Sequence, residues 1–165
     1  MEKGIIRNYL KHTLIVVFLL CSTVFYSQKL SFGEMKNLLD KNLSDIEDEL
    51  SKRSFLYINR DKEDNCDRYE FAFGKSEISN QAKSFVNIFF CSSSEKTITL
   101  VCKSSEHFPK IKEDSKKYGL KFIETDESNS DILVHKFANT NYRMEIISAK
   151  RENGNTSYIV SLTKL

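Results

Sequence analysis

Residues 142–165 read YRMEIISAKRENGNTSYIVSLTKL. Apolar and polar residues alternate on both sides of Asn153-Gly154, the pattern of two half-buried strands joined by a hairpin. A two-residue Asn153-Gly154 turn would pair Ile147 with Val160 and place Met144 and Ile146 on the opposite face from Val160 and Leu162. A three-residue loop, with Gly154 at positive φ, instead pairs Met144 with Leu162, Ile146 with Val160 and Ser148 with Tyr158. Only the longer loop aligns the apolar stripes, so it is the expected one.

Outward from this hairpin, residues 120–124 and 132–137 carry the same short alternation, and a helix is expected before them over residues 106–118. Its apolar positions are Phe108, Ile111 and Tyr118. Pro109 sits in its first turn, where a missing N–H costs little, and Gly119 is a suitable left-handed stop. The first half follows the same order. Residues 31–53 place Phe32, Met35, Leu38, Leu39, Leu43, Ile46 and Leu50 at spacings of mostly three and four, the mark of an amphipathic helix. Ser31 with Glu34, and Ser44 with Glu47, have capping-box spacing, so this helix is expected to break near Lys41-Asn42. Four strands are expected after it, at residues 54–59, 68–73, 85–91 and 97–103.

The recurrence predicts an α+β fold of tandem helix-plus-four-strands units, with helices packed on one face of antiparallel sheet. Residues 28–165 then form a single domain whose halves are 28–103 and 104–165. In the third and fourth strands, Ile98, Leu100 and Cys102 share one face, and pairing Phe90 with Ile98 and Ile88 with Leu100 turns Phe85, Phe89 and Cys91 outward. Phe85, Phe89, Thr99 and Val101 become the candidate interaction face.

The first 27 residues are of a different kind. Lys3, Arg7 and Lys11 precede an apolar run from Leu14 to Leu20, and Ser27 is a small residue at its exit, the parts of a secretory signal peptide. The apolar segment falls short of the roughly 18 to 20 residues that span a bilayer. Lipidation at Cys21 is the competing reading, opposed by the bulky Leu20 before it. The ending Phe25-Tyr26-Ser27-Gln28 resembles the signal-peptide ends of small exported proteins of Bacteroidota-type bacteria. Cleavage after Ser27 implies a secreted or periplasmic protein with no membrane span after signal removal.

The precursor's net charge of +2 belongs to this leader, which holds three of the 25 Lys+Arg and one of the 23 Asp+Glu. The remaining chain is balanced, and its charges alternate, as in Lys110, Lys112, Glu113, Asp114, Lys116 and Lys117. A nucleic-acid partner would require a gathered surplus of basic charge, so none is expected. Three of the four cysteines follow the leader, and none has metal-ligand spacing. If the second and third strands are antiparallel neighbours, Cys66 falls beside Cys91, and that pair is the expected disulfide. Cys102 is left as a buried thiol.

No pattern assigns a catalytic, cofactor or metal role to any residue. His107 and His135 are the only histidines after the leader, and neither has a local nucleophile motif. Asp61, Glu63, Asp64, Asn65 and Asp67 crowd one loop, and Glu124, Asp126, Glu127 and Asp131 another. Cys66 stands where an EF-hand spacing demands Gly, so solvated hairpins are the reading. Ser92, Ser93 and Ser94 read as a turn, and Ser104 and Ser105 as helix-capping material.

The tandem layout resembles, in architecture, the β-lactamase inhibitory proteins, which cover a partner with a concave sheet. That resemblance implies a non-catalytic binding domain for a protein, peptide or envelope component and transfers no site residues. The alternatives are an exported hydrolase using His107 or His135, and a structural envelope protein.

Overall fold

The computed structural model describes residues 30–74, 82–93, 95–102, 105–151 and 154–165. The leader with its cleavage point, Cys21, Ser94, Ser104 and the Asn153 turn position lie outside the described residues.

Ser31 opens the first helix, α1 (Phe32–Leu39), with a reciprocal capping box: Glu34 N donates to Ser31 Oγ, and Ser31 N donates to Glu34 Oε2 at 2.7 Å. The chain breaks at Asp40-Lys41 and restarts as α2 (Leu43–Lys52). Asn42, rather than Ser44, caps this second helix, its Oδ1 accepting from Asp45 N. A side chain directly before the first helical residue reaches the free N–H groups, whereas Ser44 already lies inside the helix. A 3-10 turn (Ser105–His107) leads into α3 (Phe108–Lys117), which ends before Gly119 at φ +79°.

Eight strands form at the places expected: β1 (Phe55–Glu63), β2 (Cys66–Phe73), β3 (Ser84–Cys91), β4 (Lys96–Cys102), β5 (Lys121–Asn129), β6 (Ile132–Ala138), β7 (Tyr142–Lys150) and β8 (Thr156–Lys164). They make one antiparallel sheet in the order β1-β2-β3-β4-β8-β7-β6-β5.

This corrects the expected architecture. The chain is not a tandem of helix-plus-four-strands units with helices packed on the sheet, but a continuous eight-stranded sheet accompanied by three short helices. Seven strand spacings make a sheet roughly 34 Å wide. A ten-residue helix is only about 15 Å long, so the sheet dominates and its outer strands stay open. β1 and β5 are exposed along most of their length. Pairing of β4 with β8, from Lys96 opposite Lys164 to Cys102 opposite Tyr158, fuses the two sets of strands through their backbones.

The final hairpin has Met144 opposite Leu162, Ile146 opposite Val160 and Ser148 opposite Tyr158. Arg151 N donates to Asn155 O, and Gly154, at φ +79°, donates its N–H to Arg151 O. The β3 and β4 register differs from the expected one by two residues: Ile88 faces Ile98 and Val86 faces Leu100. A two-residue slip keeps every side chain on its face. The core gains Val86 in place of Phe90, which is only partly buried beside it.

Alternate residues of the strands share one buried cluster with apolar residues of the helices. Phe71, Val86, Ile88, Ile98, Leu100, Met144, Val160 and Leu162 come from the sheet, and Phe32, Met35, Leu38, Ile46, Leu50 and Ile111 from the helices. At roughly 1.5–3 kcal/mol per fully buried large apolar side chain, this cluster is the main stabilising contribution. Two ion pairs fasten the helices at their corners: Lys164 Nζ to Asp40 Oδ1 at 2.6 Å and Arg53 to Glu34 Oε1 at 2.6 Å.

Candidate interaction face

The residues that alternate with the core cluster form the sheet's outer face, and the strand register arranges them in levels across it. One level runs Ala72, Phe85, Val101, Ile159, Ile147, Val134 from β2 to β6, uncharged over six strands. The next runs Glu70, Asn87, Thr99, Ser161, Glu145 from β2 to β7. A third runs Arg68, Phe89, Thr97, Thr163, Arg143. The four sequence-predicted face residues, Phe85, Phe89, Thr99 and Val101, thus lie together on β3 and β4, each half-buried by its neighbours. Phe85 is directly opposite Val101.

Hydroxyls bond across the middle of this face. Thr97 Oγ1 and Thr163 Oγ1 are 2.9 Å apart, and Thr99 Oγ1 donates to Ser161 Oγ at 3.4 Å. Such pairs satisfy polar groups locally and leave the surface between them with little need of water. The result is an uncharged window over β3, β4 and β8, bounded by charged residues on β2 and β7.

At one end of β2 and β3, Cys66 stands opposite Cys91 and the two form a disulfide, with Cα atoms 4.0 Å apart. Cys102, at the far end of β4, is buried and free, and desolvation pushes its thiol up to about 11. A thiol held protonated in this way is a poor nucleophile at neutral pH.

The histidines sit apart from one another. His135 Nδ1 lies 2.9 Å from Thr125 Oγ1 on the exposed outer strands. His107 instead lines a cavity of about 520 Å3 with Leu30, Ser31, Glu34, Arg53, Glu106, Lys110 and Ile111. Ser31 is the hydroxyl in this cavity, and its Oγ donates to Glu34 Oε2 at 2.8 Å, which commits it to the helix cap. Burial works to raise the Glu34 carboxyl, but the Ser31 N–H, the Ser31 hydroxyl and the Arg53 guanidinium together hold it below the ordinary range. Glu34 and Arg53 therefore enter the cavity as a mutually satisfied ion pair.

The acidic loops of the sequence are hairpin ends whose carboxylates meet arginine and lysine. Arg68 reaches Asp61 at 2.7 Å and Glu63 at 3.4 Å; Arg60 meets Asp67 at 3.2 Å; Lys136 reaches Glu124 at 2.8 Å and Asp126 at 3.5 Å. Among the described residues no group of three or more His, Cys, Asp or Glu could hold a metal ion. No described helix is long and apolar enough to cross a membrane.

Sequence reasoning missed two features. The charged frame of Glu70, Arg143 and Glu145 follows only from the full cross-strand register, which a single hairpin does not supply. The exposed apolar pairs Leu56-Tyr57 and Phe122-Ile123 reflect edge position. A shift in register at each pair, between Tyr57 and Asn59 and between Phe122 and Glu124, turns neighbouring side chains out of strict alternation. No family model, curated protein or solved structure matches this chain.

Proposed function

We propose that this is an exported, non-catalytic binding domain that engages a protein, peptide or envelope component through the outer face of its sheet, at Phe85, Phe89, Thr99 and Val101. The observation that carries this reading is the uncharged window over three adjacent strands. Apolar and internally bonded hydroxyl surface loses little on desolvation, and a contiguous, half-buried patch of this kind on the outer side of a sheet is suited to cover a partner. Secretion or a periplasmic location is supported by the basic, then apolar, then small-residue order of residues 1–27. The Cys66–Cys91 disulfide agrees with it, since such bonds persist in oxidising compartments.

The test is capture from envelope and medium fractions on the immobilised protein, comparing the natural chain with Val101→Arg and Phe89→Arg. Both side chains point away from the core, so both variants keep the natural circular dichroism and melting profile. Loss of the captured species supports the reading. Capture that is unchanged in both variants overturns it.

A further inference from the structure

We draw no further inference here: the strongest candidate, the uncharged window on the outer face of β3, β4 and β8, belongs to the site already described, and nothing in the structure shows what covers it.

Discussion

Cys66 lies directly opposite Cys91 across β2 and β3, so the disulfide joins two strands that are already hydrogen-bonded neighbours. Its stabilising effect comes from the unfolded chain, where it closes a loop with a sequence separation of 25 residues. Chain-entropy arguments put that contribution at about 3 kcal/mol. Replacing both cysteines by serine is expected to lower the unfolding free energy by about this amount while leaving the sheet intact. Denaturant titration with and without reductant measures it, and non-reducing peptide mapping identifies the bridge. A map joining Cys91 to Cys102 would contradict the strand register as well as the bond.

Cys102 is expected to resist alkylation in the folded protein. Its thiol is raised to about 11 by burial, so the thiolate is scarce at pH 8 and the sulfur is out of reach. Iodoacetamide labelling followed by mass spectrometry should modify Cys102 only under denaturing conditions. Rapid labelling of the native protein would show that the end of β4 opens readily.

Gly154 holds φ +79° in the last hairpin, and a Cβ added there would meet nothing within 4 Å. The cost of Gly154→Ala is therefore conformational alone, about 1 kcal/mol. Thermal unfolding should show a modest loss of stability with no change in cooperativity. Gly154→Asn, which tolerates the left-handed region better, should lose less.

The readability of this chain followed the range of the interactions involved. Strand positions and the β7–β8 register were legible because alternation and the Gly154 turn are local, and a wrong register would have exposed Met144 and Ile146. The pairing of β3 with β4 was misplaced by two residues because Phe90 and Val86 are interchangeable as core candidates when only parity is known. The architecture misled for a related reason. The repeated order of helix and strands is visible in sequence, whereas β4–β8 pairing, which makes a single sheet, depends on contacts about sixty residues apart. The framing charges at Glu70, Arg143 and Glu145 inherit that dependence. Phe85, Phe89, Thr99 and Val101 share one face in either register because a two-residue slip leaves parity unchanged.

His107→Ala together with His135→Ala is expected to leave partner capture at its natural level. His135 bonds Thr125 on the exposed outer strands, and His107 lines a cavity formed by the helix ends rather than the outer face. Parallel capture and melting experiments check this. Loss of capture with an unchanged melting profile would move the functional site to the cavity.

The ion pair of Glu34 with Arg53 should make the fold sensitive to acid. Burial raises the Glu34 carboxyl, but its hydrogen bonds from Ser31 and the Arg53 guanidinium outweigh that and lower it in the folded protein. A carboxyl lowered on folding binds protons less readily folded than unfolded, so its stabilising contribution is complete above the ordinary carboxylate value and is lost as pH falls through the lowered one. Asp40, lowered chiefly by its hydrogen bond from Lys164, acts in the same direction but is more exposed to solvent and contributes less. Glu34→Gln should therefore destabilise the protein at pH 7 and flatten the decline in stability between pH 5 and pH 3, in the manner of a removed linkage. Ser31→Ala should cost about 1 kcal/mol through the cap and also reduce the slope, because it removes one of the hydrogen bonds that lower Glu34. Urea unfolding across this pH range separates the effects. A Glu34→Gln protein that loses stability with acid as steeply as the natural chain would show that the Glu34 and Arg53 pair does not govern the response.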